Sequence, residues 1–184
     1  MTRILLVVIS FFVGVAWCKL GLAFEKEILN PTTEPDAVCL AQNIYFEASV
    51  EPTAGKIAVG LVVLNRMHDA RYPDTVCGVV KEGPVRESWK TKQHADLPDE
   101  QRIYYPVKYR CQFTWHCDGK DEKIRYQDTW LQSQIIALQI LEGQYAGMIE
   151  GATHYHANWV DPEWRYELSY IGQIGDHLFY RWEN

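Results

Sequence analysis

Apolar residues recur at helical spacing through Ala37, Val38, Ala41, Ile44, Tyr45 and Ala48, which predicts an α-helix opened by Asp36 as N-cap. Ser49 to Pro52 closes it, because a residue before proline is pushed out of the α region. A second helix is predicted from Thr53 to His68. Its centre, "IAVGLVVL" (57–64), is apolar all round, as in a helix buried on most sides, and is far too short to span a membrane. "RYPDTVCGVVKEG" (71–83) predicts a turn and a short helix, with Asp74 or Thr75 as cap and Gly83 as stop. Residues 84–110 are polar and without a clear period, so a long surface loop with one helical turn is expected; such loops often carry function. "CQFTWHCDGK" (111–120) reads as a short extended piece closed by an Asp-Gly turn. A third long helix is predicted from Gln127 to Glu142, with Trp130, Leu131, Gln134, Ile135, Leu138 and Leu141 along one side and Gly143 as stop. Residues 152–160 and 170–182 alternate as strands do. Helices in the first two thirds and a small closing sheet give an α+β layout.

The chain has 184 residues, 47% hydrophobic and 23% charged, enough for one domain plus some extra. A net charge of −6 with no basic stripe argues against a nucleic-acid partner. Aromatics make up 13%. Most are expected in the core, and some suit a groove that stacks on flat faces such as sugar rings.

Residues 1–24 read as a signal peptide or a membrane anchor. Arg3 precedes an apolar run (4–17), and Gly21-Leu22-Ala23 suits cleavage after Ala23. Left uncut, the segment would associate the protein with a membrane, although Lys19 interrupts it. The bulky Trp17 before Cys18 argues against a lipoprotein site. Either reading exports the protein to the periplasm or cell envelope. Residues 25–36 read as a linker and 37–184 as the catalytic domain. Export turns Cys39, Cys77, Cys111 and Cys117 into disulfide candidates. Three pairings are open; Cys39–Cys77 with Cys111–Cys117 is favoured, because each would staple neighbouring elements. A zinc site on Cys111, His116 and Cys117 competes, but its spacing fits no common finger.

Glu47 lies roughly 100° around the first helix from the centre of its apolar stripe. It is a boundary residue, against the core yet able to see solvent. Partial desolvation would raise its pKa and let it serve as a general acid. Spacing alone favours a plain boundary glutamate that caps, or salt-bridges to Lys or Arg.

Further blocks bear on that choice. "VCLAQNIYFEASVEPTAGKIAVGLVVLNRM", "YPDTVCGVV", "CQFTWHCDGK", "GATHYHANWVDPEW" and "IGDHLFYR" follow in order from Cys39 to Arg181. Together they resemble the SleB/CwlJ family of cell-wall hydrolases. The resemblance implies a lysozyme-like, transglycosylase-type helical core with a small antiparallel sheet, and peptidoglycan glycan strands as partner. It implies cleavage between N-acetylmuramic acid and N-acetylglucosamine with Glu47, of the "Y-x-E-A" motif, as the one catalytic acid. Such chemistry calls for no cofactor and no metal, and a monomer suffices.

An ordinary glycoside hydrolase uses two carboxylates. Glu51 is one helical turn on, but Pro52 breaks the helix there, so it reads as a cap or a partner for Lys56 or Arg66. Asp118 is a second candidate acid, or an ordinary turn residue. Gln112, Phe113, Thr114 and Trp115 supply the amide, hydroxyl and flat rings that sugar sites use. His154 and His156 fall on one face of a strand, flanking Tyr155, with His177 further on. All four are taken as substrate-binding. The histidines are also the ligands a zinc-dependent amidase would need, with His177 or Asp161 as the third. Asn65 and Arg66 read as structural, Arg66 anchoring a carboxylate. The third reading is a non-catalytic wall-binding module, against which the intact "YFEA" acid speaks.

Overall fold

The computed structural model describes residues 34–183. The leader, its cleavage site and most of the linker lie outside them. Helix α1 (Pro35–Ala48) starts with proline, whose missing N–H costs nothing at a first helical position. Asp36 therefore sits inside the first turn and is not the N-cap; its carboxylate accepts from the Cys77 N–H at 3.4 Å. After the break at Pro52, α2 (Thr53–Met67) runs through the core, with Ala58, Val59, Val62 and Val63 fully buried. The short α3 (Val76–Val80) is capped by the Thr75 hydroxyl, which accepts from the Gly78 N–H at 3.1 Å. It stops at Lys81, two residues before Gly83. The Cys39–Cys77 disulfide ties α3 to α1, and Cys111–Cys117 closes a tight loop; both are the favoured pairs. With both sulfurs in a bridge, the Cys111/His116/Cys117 zinc reading fails.

Residues 84–110 are not an irregular loop. β1 (Val85–Glu87) pairs antiparallel with β2 (Tyr104–Pro106), and α4 (Trp89–Lys92) lies between them. Three-residue strands carry too little pattern to be read from spacing. "TWHC" is a 3-10 turn (Thr114–Cys117), because the disulfide draws its ends together.

Helix α5 (Gln127–Leu141) packs on both α1 and α2. Its buried face carries Ser133, Gln134, Ile136, Ala137 and Ile140, with Leu141 exposed, so the face is rotated from the expected stripe. The helix is apolar on more than one side. The small Ser133 and Ala137 settle the choice, because they allow two helices to approach. A matching close approach occurs at Gly60 of α2. A Cβ there would lie 2.6 Å from Ile140 Cδ1 and 3.0 Å from Ile44 Cδ1.

The C-terminal sheet has the order β3-β5-β4, all antiparallel: β3 His154–Ala157, β4 Ser169–Ile174 and β5 His177–Arg181. The segment expected as one strand, 170–182, is thus a hairpin. Its turn falls at Gly175, where φ is +60°. A side chain on Gly175 would also collide with the Glu51 carboxylate, which accepts from the Asp176 N–H at 3.0 Å. Glycine is required there on both counts. Among the described residues no helix is long and apolar enough to cross a membrane.

Candidate active site

Glu47 stands in the last turn of α1, partly buried, with its side chain turned towards β3. The Tyr155 hydroxyl donates to Glu47 Oε2 at 3.1 Å. Burial raises the Glu47 pKa; the Tyr155 hydrogen bond and the Arg66 charge pull it partly back. Tyr155 is held well above the ordinary tyrosine value by burial and by the adjacent Glu47 charge, so it stays a hydroxyl donor. Its ring is wedged against His177, edge-on at 4.9 Å, and against Phe179 at 5.7 Å.

Arg66, at the end of α2, is 6% exposed, and among the described residues no carboxylate forms an ion pair with it. The expected carboxylate anchor is replaced by neutral contacts. Nε donates to the Thr153 carbonyl at 2.8 Å and Nη1 to Gln112 Oε1 at 3.5 Å. The guanidinium faces the rings of Tyr72 and Phe113 at 5.3 and 5.2 Å. A buried cation whose contacts are all neutral acts on charges at longer range. It opposes the burial that raises Glu47 and Glu82.

Beside α1 runs a groove of about 410 Å³ whose lining includes Tyr45, Phe46, Trp115, Asp118 and Tyr126. Glu47 does not line it; its neighbours Phe46 and Ser49 do. Trp115 stacks on Phe46 at 4.7 Å and 24°, and its indole N–H donates to Asn43 Oδ1 at 3.1 Å. The Tyr45 hydroxyl accepts from the N–H groups of Arg125 and Tyr126 at 3.0 and 3.1 Å, which pins the far wall to α1.

The expected site residues do not come together in one place. Trp115 and Asp118 line the groove, while Gln112 and Phe113 brace Arg66 and Thr114 is exposed. Asp118 accepts from the Lys120 N–H at 2.7 Å, which chiefly lowers its pKa and makes it a turn residue that stays ionised. Tyr155 reaches Glu47, but His154 and His156 do not, because alternate strand residues face opposite ways. Both histidines lie on the other face of the sheet, packed around Trp164 at 5.3 and 5.5 Å. His156 is held between Tyr180 OH at 3.1 Å and the Ala157 carbonyl at 2.9 Å. Burial, then Arg66 and Arg71, lowers the His154 pKa to about 4. His177 lies behind Tyr155, 3.7 Å from Glu51 Oε1, with burial lowering its pKa. Glu51 is 6% exposed and braces the β4–β5 turn. Lys56 does bond to it, but through the Glu51 carbonyl at 2.8 Å. Among the described residues no group of three His, Cys, Asp or Glu side chains could hold a metal ion.

Sequence reasoning missed Asn43 and Glu82. Asn43 is fully buried one helical turn before Glu47, and among the described residues its Nδ2 has no partner. A buried amide four residues from the acid, on the same side of the helix, was the available signal. Glu82 has a buried Oε2 without a hydrogen-bond partner among the described residues, and nothing in its local sequence distinguishes it from a surface glutamate.

Residues 50–180 match the Cell Wall Hydrolase family, and the chain belongs to it. The match begins three residues past Glu47. The chain is 44% identical over 50 residues to a spore cortex-lytic enzyme of Oceanobacillus iheyensis, covering 27% of this chain and 18% of that protein. It is 42% identical over 68 residues to one from Halalkalibacterium halodurans, covering 37% of this chain and 21% of that protein. The alignments thus span about a fifth of those relatives. Among solved structures, it resembles the catalytic domain of the germination-specific lytic transglycosylase SleB from Bacillus anthracis. There the TM-score is 0.50 at 21% identity, covering 83% of this chain and 98% of that one. The SleB catalytic domain from Bacillus cereus gives a TM-score of 0.52 at 22% identity, covering 84% and 96%. These likenesses establish the lysozyme-like α+β fold.

Proposed function

We propose that this cell wall hydrolase cuts the glycan strand of peptidoglycan between N-acetylmuramic acid and N-acetylglucosamine, as a lytic transglycosylase with Glu47 as its single acid and base. The observation that carries the reading is a partly buried carboxyl, raised by burial and held by the Tyr155 hydroxyl, with an aromatic groove alongside. Glu47 protonates the glycosidic oxygen, and the bond from the muramic C1 breaks. The resulting carboxylate then accepts the proton of the muramic C6 hydroxyl as that oxygen bonds to C1. No water is consumed, the acid is restored, and a 1,6-anhydro end is released. The SleB domain that shares the fold belongs to a germination-specific lytic transglycosylase, which supports this choice over hydrolysis. So does Glu51, the nearest second carboxylate in sequence, which braces a turn.

Phe46 and Trp115 present flat faces to sugar rings, and Asp118 and Lys120 offer polar groups at the groove wall. The proposed site is built from one chain, so a monomer would suffice. Its substrate places the protein in the cell envelope, with residues 1–24 as its export signal or anchor. The amidase reading would need His154 and His156 to ligate zinc, yet both are engaged by neighbouring groups on the face away from Glu47.

The test is digestion of purified peptidoglycan with the fragments weighed. Anhydro-muramic ends are expected. Free amino termini would point to an amidase, and no release to a binding module. Glu47→Gln should lower the release of anhydro ends by about 10²–10⁴-fold with the fold intact. A folded variant that keeps full activity would remove the assignment.

A further inference from the structure

Residues 84–110 leave the domain and return to it at one place. A Cβ on Gly83 would lie 3.0 Å from Cys111 Cα, the Gln112 N–H donates to the Glu82 carbonyl at 2.9 Å, and the Val107 N–H donates to the Pro84 carbonyl at 2.8 Å. None of these residues belongs to the apolar core. The excursion nevertheless carries Trp89, Tyr104, Tyr105 and Tyr109, between 49% and 69% exposed. Isolated exposed aromatics are ordinary, but four on one 27-residue arm with no core duty are a surface in search of a flat partner.

Charge narrows the choice of partner. The arm holds six basic and four acidic residues in a chain whose net charge is −6. Arg102 is committed to Glu87 at 2.8 Å and Asp99 at 3.4 Å. Arg86, Lys90, Lys92 and Arg110 form no ion pair among the described residues. Arg86 stands directly across from Tyr105 in the β1–β2 register, so a cation and a ring share one face. The arm also adjoins the groove. Lys108 lies over the Tyr109 ring at 4.8 Å, its Cε would be 3.2 Å from a Cβ on Gly119, and the Tyr109 N–H donates to the Cys117 carbonyl at 3.0 Å. Asp118, between those contacts, lines the groove.

We infer that the 84–110 arm extends the substrate groove and recognises peptide-bearing peptidoglycan, its tyrosines lying on sugar faces and its free cations taking the carboxylates of the stem peptides. The inference rests on the glycan-cleaving reading for its substrate, and its test is read separately from cutting. Full-length protein carrying Glu47→Gln is sedimented with peptidoglycan, and with the same glycan stripped of stem peptides by an amidase. About tenfold tighter binding to the peptide-bearing polymer is expected, weakening as salt is raised. Adding Arg86→Glu, Lys90→Glu and Lys92→Glu should abolish that difference, and Tyr104→Ala with Tyr105→Ala should weaken binding to both polymers. Joining Gly83 to Cys111 through a short Gly-Ser linker should reproduce both losses in a protein with an unchanged unfolding midpoint. Equal binding of the two polymers by the parent, or an undiminished preference in the charge-reversed protein, would overturn the inference. If protein with Glu47 restored releases no anhydro ends, the cleavage reading fails while the binding preference still decides the arm.

Discussion

Replacing Tyr155 by phenylalanine isolates one hydroxyl. The ring can keep its packing against His177 and Phe179, while the 3.1 Å donor to Glu47 Oε2 is lost. That bond stabilises the ionised carboxylate more than the neutral acid, and so lowers the Glu47 pKa. A hydrogen bond to a charged group is worth about 1.5–3 kcal/mol, and its loss falls on the ionised form. Removing it should raise the Glu47 pKa further, since burial is then opposed by the Arg66 charge alone. The proposed reaction begins with Glu47 protonated, so the alkaline limb of the pH–rate profile should move upward. At the pH optimum the rate should fall, because the second step needs a well-placed carboxylate. The assay is the initial rate of anhydro-end release from pH 4 to 9 for both proteins. An unmoved alkaline limb would refute the reasoning, and a downward shift would mean that Tyr155 destabilises the carboxylate.

Gly60→Ala should destabilise the domain by about 1–3 kcal/mol in urea unfolding, because the new methyl enters the space of Ile140 and Ile44. Removing the Cys39–Cys77 bridge, which spans 38 residues, with a double alanine variant should cost about 3–4 kcal/mol by the same measurement. His154 titrates at about 4 when folded against 6.5 in the open chain. The unfolded state therefore binds the extra proton between those values, and stability should fall as pH drops through that window. The ring is partly open to water, so about 1–2 kcal/mol of the nominal loss is expected, and His154→Asn should flatten the acid limb of a melting curve.

Periodic segments were legible in the sequence. The apolar runs of α1 and α2, the Pro52 break and the Thr75 cap all stand where spacing put them, because each follows from local backbone chemistry. The face of α5 was not legible, since its side chains allow two faces and only contact with α1 and α2 chooses between them. The 170–182 segment looked continuous because a two-residue turn barely interrupts alternation. For the candidate site, Glu47 stood out as an acid on an apolar boundary. Its hydroxyl donor arrives from Tyr155, 108 residues away, and no local pattern encodes that meeting. The "HYH" triplet shows the limit of face counting: alternation grouped the two histidines correctly, but which face looks towards α1 depends on how the sheet docks.

Arg66 has a consequence for the timing of the proposed reaction. Its guanidinium is gripped by a carbonyl, an amide and two rings, all of them uncharged. Among the described residues no carboxylate pairs with it, and its charge is the same before and after the proton leaves Glu47. Shelter from water favours the acid while the glycan is whole, and the standing positive potential eases the moment when the carboxylate is bare. A cavity with the shelter alone would hold its proton too tightly, and one with the cation alone would lose it too early.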